Sequence, residues 1–197
     1  MLYFDNLSKF PQIKHFVGTR DSEVNLESFV TIRQVHGDKV LVVNKNTKNL
    51  EGDAMITNKR GLMLVVKVAD CVPIMLFDPV KNAIGIAHAG WRGTLKKIAG
   101  KTVFKMKKEF GTDPGNLIIG IGPCICVKHY EVDEVVLPGA KGNFDLRMAN
   151  QIQLVESGVD EKNIEIMPYC TFERTDLFYS YRAEDKTGRF ITGISIA

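Results

Sequence analysis

Residues 69–93 read ADCVPIMLFDPVKNAIGIAHAGWRG, and the rest of the chain is organised around them. Two short apolar runs, PIMLF at 73–77 and AIGIA at 83–87, are interrupted by Asp78-Pro79. Runs of this length bounded by turn residues are the pattern of two buried strands joined by a turn. Such a hairpin returns His88 to the neighbourhood of Cys71. Soft ligands, or a nucleophile and its base, would then meet at one end of a rigid sheet with Gly90-Trp91-Arg92-Gly93 alongside.

Upstream, residues 16–20, 28–35, 39–43, 53–57 and 62–68 alternate or are rich in β-branched side chains, so the first half is strand-rich. The 28–35 strand runs into Arg33-Gln34-Val35-His36-Gly37, which sets His36 at a strand end. Downstream the period changes. Leu95, Ile98, Ala99, Thr102, Val103, Met106 and Phe110 recur at helical spacing, predicting a helix over 94–110 whose lysines form a solvated face. A strand at 116–122, an equivocal segment at 130–137, a helix at 144–157 and short strands at 164–168, 177–181 and 191–196 complete the chain. No repeat, linker or low-complexity stretch divides it, so one domain over residues 1–197 is expected.

The 197 residues are enough to bury a sizeable core without disulfides. Hydrophobic residues at 45% and charged residues at 25% place the chain among globular proteins. A formal charge of +3 gives no reason to expect a nucleic-acid or membrane partner, and it is compatible with a small anionic ligand. The segment MLYFDNLSKFPQ lacks a basic stretch followed by an apolar core, and no run approaches membrane-spanning length. Cys71, Cys124, Cys126 and Cys170 are therefore expected to be reduced, in a cytoplasmic protein. The oligomeric state is not legible.

Strand ends carrying His36, Cys71 and His88 can converge on one sheet edge. Two imidazoles and one thiolate suit zinc and leave a fourth position open, as catalytic zinc requires; zinc lowers the pKa of a bound water toward neutrality. The competing reading is a buried cysteine with two hydrogen-bonded histidines. Asp70 is a candidate for orienting an imidazole, or is a turn acid. The turn at 90–93 enters a helix, where backbone N–H groups favour an anion, and Arg92 could complete such a site. Cys124, Cys126 and His129 form a C-x-C-x2-H cluster. It admits a metal, against which the intervening isoleucine places both cysteines on one strand face as packing groups. His15 and Cys170 have no evident partners and read as structural. Arg174, Arg182 and Arg189 are candidates for anion recognition, with surface ion pairing as the default.

Taken in order, RQVHG (33–37), GDAMIT (52–57), ADCVPIMLFDP (69–79), AHAGWRG (87–93), IGPC (121–124), DLFYSYR (176–182) and TGR (187–189) resemble the motifs of the laccase-domain family. Its members carry the older label multicopper polyphenol oxidase and are described as purine nucleoside phosphorylases with adenosine deaminase activity. The resemblance implies a layered α/β/β/α fold with mixed β-sheets, similar to cysteine-hydrolase-like domains. It also implies that His36, Cys71 and His88 bind a catalytic zinc. The implied substrates are adenosine, inosine, guanosine and S-methyl-5'-thioadenosine, with phosphate. Phosphorolysis needs phosphate held against the ribose, so Arg33, Arg92 and Arg182 are the candidate clamps, with Asp70 also in the substrate region. The family segment often reading GPCCYEV is here GPCICVKHYEV, which puts Cys126 and His129 in a variable loop near the site.

Other chemistries stay open at this point. A single copper in place of zinc would give an oxidase of phenolic substrates, although a multicopper mechanism needs many more than the four histidines present. A cysteine hydrolase acting on a nucleotide-linked cell-wall precursor, with Cys71 as nucleophile and His88 as base, is the other enzyme reading.

Overall fold

The computed structural model describes residues 1–23, 25, 29–45, 47, 50–133 and 142–197. The strands are β1 (Ile13–Val17), β2 (Val40–Val42), β3 (Ala54–Thr57), β4 (Leu64–Val68), β5 (Val72–Asp78), β6 (Ala83–Ala89), β7 (Ile118–Ile121), β8 (Glu131–Val132), β9 (Gly142–Asn143), β10 (Ile164–Ile166) and β11 (Phe190–Ile196). The helices are α1 (Asp5–Ser8), α2 (Trp91–Leu95), α3 (Ile98–Phe110), α4 (Leu146–Glu156) and α5 (Tyr181–Glu184).

The hairpin forms as read. β5 and β6 pair antiparallel from Val72↔Ala89 to Asp78↔Ala83. Asp78 Oδ1 accepts from the N–H groups of Val80 and Lys81 and so closes the turn. The two strands are the centre of a six-stranded sheet ordered β10-β7-β5-β6-β3-β2, in which β2–β3 and β7–β10 are parallel and the other pairs antiparallel. A second sheet, β1-β11-β4, is antiparallel throughout.

Both central strands are wholly buried because both faces of the larger sheet are covered. Alternate residues take alternate sides. Val72, Ile74, Leu76, Ala87 and Ala89 pack with Ile98, Val103 and Met106 of α3 and with Leu146 and Leu154 of α4. Met75, Phe77, Ile84 and Ile86 pack with Leu64, Val66, Val68, Ile194 and Ile196 of the smaller sheet. The result is the mixed, layered α/β class expected, with helices, large sheet and small sheet stacked in that order. Among the described residues the remaining helices have four or five residues, and none is long and apolar enough to cross a membrane.

Four elements differ from the sequence reading, the first being the strand expected at 16–20, which is β1 over Ile13–Val17. Of the expected strand at 28–35, residue 28 lies outside the described residues, and Val30 and Arg33 make only single bridges, to Leu64 and Glu51. The Gln34 side chain does there what a strand neighbour would do: its amide donates to Lys67 O and accepts from Lys67 N, both at 2.9 Å. The helix at 94–110 is two helices, broken at Lys97, whose φ of 61° is left-handed. Thr94 marks the break, its carbonyl accepting from Gln153 and its hydroxyl from Asn150 of α4. Residues 177–180 form a turn and loop rather than a strand and Tyr181 opens α5, because Leu177 and Phe178 both donate to Arg174 O and the buried Phe178 side chain anchors the loop. The equivocal 130–137 segment contains β8, and residues 134–137 lie outside the described residues.

Gly120 of β7 lies against the Phe4 ring, where an added Cβ would meet ring carbons at 2.6–2.8 Å. Gly120→Ala therefore overpacks the contact between the N-terminal segment and the sheet. We expect it to lower stability by about 1–3 kcal/mol, read as a lower urea midpoint with an unchanged slope.

Candidate metal centre and its cavity

The site is assembled by a buried acid at the start of β3. Asp53 is fully buried, and its carboxylate accepts the N–H groups of Val35 (3.2 Å), His36 (2.9 Å) and Gly37 (2.7 Å). It also meets His88 Nδ1 at 2.9 Å, while its backbone carbonyl accepts from His88 N. A buried carboxylate needs such partners. Burial pushes the Asp53 pKa up, but the His88 hydrogen bond and the Gly37 and Val35 N–H groups outweigh it and hold the carboxyl below its ordinary range. The consequence is geometric. The turn bearing His36, itself left-handed with φ 57°, is tied to the strand bearing His88.

Because Asp53 occupies His88 Nδ1, Nε2 is left to face the site. Cys71 follows the Ala69-Asp70 crossover from β4 to β5, on the same side of the sheet as His88. The ligand atoms of His36, Cys71 and His88 all lie within 4.8 Å of one another, and the two imidazoles meet edge-on with centroids 4.8 Å apart. Gly90 makes room for this, since a Cβ there would sit 3.0 Å from Cys71 Sγ and 3.2 Å from His36 Cδ2. Burial works against charge on Cys71, yet the His88 charge and hydrogen bonds from His36 and His88 lower its pKa to about 6. Burial likewise opposes charge on His88, but Cys71 and Asp53 raise it to about 9. Without metal, each partner's charge favours the ionised form of the other, thiolate beside imidazolium. Two imidazoles and a thiolate, one imidazole held by a carboxylate, fit a transition metal with an open position.

These residues lie in a cavity of about 670 Å³, also lined by Asp70, Trp91, Arg92, Tyr130, Tyr181, Arg182 and Arg189. Each of the three arginines lies over an aromatic ring of the same cavity: Arg92 over Trp91 (4.2 Å), Arg182 over Tyr130 (5.1 Å) and Arg189 over Tyr181 (5.8 Å). Arg33 is not among them, because its guanidinium is engaged by Glu51 at the surface. Arg174 likewise pairs with Asp176. Asp70 does not orient an imidazole. Its carboxylate accepts from Thr171 Oγ1 (2.6 Å) and Arg182 N (2.7 Å), and its carbonyl from Ile125 N, which together hold its left-handed backbone (φ 81°). The turn at 90–93 opens only the five-residue α2.

Residues 17–197 match the family described as multi-copper polyphenol oxidoreductase laccase. The chain belongs to that family. A protein of Bacteroides thetaiotaomicron named purine nucleoside phosphorylase is 31% identical, across all of this chain and 96% of its own length. One from an unknown prokaryotic organism, named adenosine deaminase, is 34% identical over 87% of this chain and 76% of its own. Among solved structures, YlmD from Geobacillus stearothermophilus superposes with a TM-score of 0.81 at 32% identity, covering 87% of this chain and 74% of that one.

Within this laccase-family chain the sequence reading missed Asp53, which carries the hydrogen bonds expected of Asp70. Its signal was an acid opening the wholly buried run AMIT. It also missed the pairing of Cys170 with Cys126 and His129, a second group able to hold a metal ion. The expectation that Cys124 and Cys126 share a face fails because the chain leaves β7 at Ile121. Cys124 is buried beside Arg147, with burial pushing its pKa up to about 11, while Cys126 is half-exposed. His15 is structural as read: it is buried, and its Nε2 accepts from Phe4 N at 2.8 Å.

Asp53→Asn keeps an acceptor but cannot satisfy both His88 and the turn. We expect metal affinity roughly 10–100-fold lower, measured by chelator competition. In metal-free protein, alkylation of Cys71 by iodoacetamide should rise with pH through about 6, because the thiolate forms above that value. Peptide mass spectrometry separates it from Cys126. Removing the imidazolium in His88→Gln should move that midpoint up toward the ordinary thiol range of about 8.5.

Proposed function

We propose that this protein is a zinc-dependent purine nucleoside phosphorylase, acting on adenosine, inosine, guanosine and S-methyl-5'-thioadenosine, with adenosine deaminase activity at the same site. The observation that carries this reading is the convergence of His36, Cys71 and His88, with an open side, in a cavity walled by arginine–aromatic pairs. The names of the relatives support the substrate class. The cavity is of a size that holds a small ligand.

When bound, zinc supplies Lewis acidity and an activated water. The chain's own groups do the rest. His36, Cys71 and His88 would hold the ion, and Asp53 fixes the His88 tautomer. Trp91, Tyr130 and Tyr181 offer flat rings for a purine. Phosphorolysis forms a bond from phosphate oxygen to C1′ as the C1′–N9 bond breaks and charge passes to the base. Arg92, Arg182 and Arg189 supply the positive charge that holds the phosphate. Arg182 is the best anchored of the three, its backbone N–H held by Asp70 and its guanidinium donating to Glu131 O.

One observation favours a second reading. The alignment of Cys71, His88 and Asp53, which lowers the Cys71 thiol pKa, is also that of a metal-free cysteine hydrolase, for which a nucleotide-linked cell-wall precursor is the candidate substrate. A copper oxidase of phenols has weaker support. Only two of the four histidines converge here, His15 being in the core and His129 elsewhere, so a multicopper cluster has no ligands.

Zinc-loaded protein incubated with adenosine should release adenine only when phosphate is present, and inosine without it, as followed by chromatography. Cys71→Ala and His88→Ala should abolish both. Wild-type protein that makes neither product, or variants that match it, would overturn the reading. Activity that is greatest after chelation and is suppressed by zinc would establish the hydrolase instead.

A further inference from the structure

Apart from the cavity, Cys126, His129 and Cys170 offer ligand atoms that all lie within 4.8 Å of one another. The first two share the turn after β7. Cys170 comes from the segment after β10, which runs beside that turn through a single bridge between Cys124 and Cys170. His129 Nδ1 is 3.3 Å from Cys126 Sγ and 3.8 Å from Cys170 Sγ. Glu173 Oε1 is 3.6 Å from the same nitrogen.

Tetrahedral zinc, with bonds of about 2.3 Å to sulfur and about 2.0–2.2 Å to nitrogen and oxygen, holds its ligands about 3.6 Å apart for S···N and about 3.4 Å for N···O. The two sulfur–nitrogen distances bracket the first value, and the nitrogen–oxygen distance is close to the second. We propose that Cys126, His129 and Cys170 form a second, structural zinc site with two thiolates and one imidazole; the exposed Glu173 side chain, beside His129 but outside the group of three, would turn in to supply a carboxylate as the fourth ligand.

The surroundings are arranged for such a site. The Cys126 N–H donates to Cys170 Sγ at 3.3 Å, which favours the thiolate that binds metal. The His129 ring is stacked on Phe172, with centroids 4.4 Å apart and planes at 11°, so its orientation is set before any ion arrives. Asn143 Nδ2 donates to the carbonyls of Val127 and Lys128 and closes the turn that presents His129. Glu173 also lies 3.9 Å from Lys128 Nζ, an exposed ion pair too weak to hold the carboxylate away from a metal. Cys126 is half-exposed and gives the ion a way in.

The site would act on the cavity from outside it. Tyr130, a cavity wall residue, directly follows His129, and Thr171, which holds Asp70, directly follows Cys170. An ion joining the two segments therefore fixes the ring under Arg182 and the clamp on Asp70 together. This inference does not depend on the substrate proposed above.

The test uses the reduced full chain, stripped of metal and then loaded with zinc or cobalt(II), with bound metal counted after desalting. Wild-type protein should retain two equivalents. His36→Ala/Cys71→Ser, which removes the cavity site, should retain one and show the intense visible and sulfur-to-metal bands of tetrahedral cobalt bound by thiolates. Adding Cys126→Ser, at a half-exposed position, should abolish both the ion and the spectrum. The proposal is overturned if the double variant retains no ion, or if its ion and spectrum survive Cys126→Ser. A Cys126–Cys170 disulfide in protein purified under reducing conditions, seen as a loss of two hydrogens in mass, also overturns it.

Discussion

One buried carboxylate determines where everything else in the cavity can be. Asp53 gathers three consecutive backbone N–H groups from a turn that belongs to neither sheet, and with its remaining capacity it holds an imidazole in the middle of the larger sheet. Hydrogen bonds to a charged group contribute about 1.5–3 kcal/mol each, and a buried acid stripped of them is costly. The turn and the sheet are thus bound to one another through a single side chain. The register that sets Ala54 opposite Ala87 brings that side chain beside His88.

The charges of the cavity are arranged on a similar plan of mutual support. Cys71 and His88 stabilise each other's ionised forms against burial. Arg92, Arg182 and Arg189 each rest on a ring, which holds the guanidinium plane, and backbone carbonyls hold two of them further: Glu131 O accepts from Arg182, and Thr187 O and Gly188 O accept from Arg189. Asp70, expected to touch an imidazole, instead spends its carboxylate on Thr171 and Arg182, anchoring the backbone of the very loop that carries Cys71.

Much of this was legible from residue order alone, for physical reasons. The β5–β6 hairpin follows from two uninterrupted apolar runs around Asp78-Pro79, because strands covered on both faces need no polar alternation. That hairpin, with the motif bearing His36, was enough to draw three ligands together. What escaped was whatever depends on side chains standing in for backbone. Gln34 replaces a strand neighbour of β4, so 28–35 reads as a strand and is not one. Thr94, caught by Asn150 and Gln153, ends a helix that periodicity continues through Lys97. Cys170 gave no signal because its partners lie more than forty residues away (170 − 126 = 44) and meet it only through the parallel approach of β10 to β7.

The chain changes sheets at Ala69-Asp70-Cys71, leaving β4 of the small sheet and entering β5 of the large one. Cys71 therefore takes its position from both layers at once, while His88 takes its position from one. The side chains between the layers, among them Met55, Phe77 and Ile84, hold the two sheets together and so support the crossover from which Cys71 projects. A conservative swap there can leave folding intact and still detune the centre. Variation deep in this interior therefore bears on the geometry of the ligand set as well as on survival of the fold.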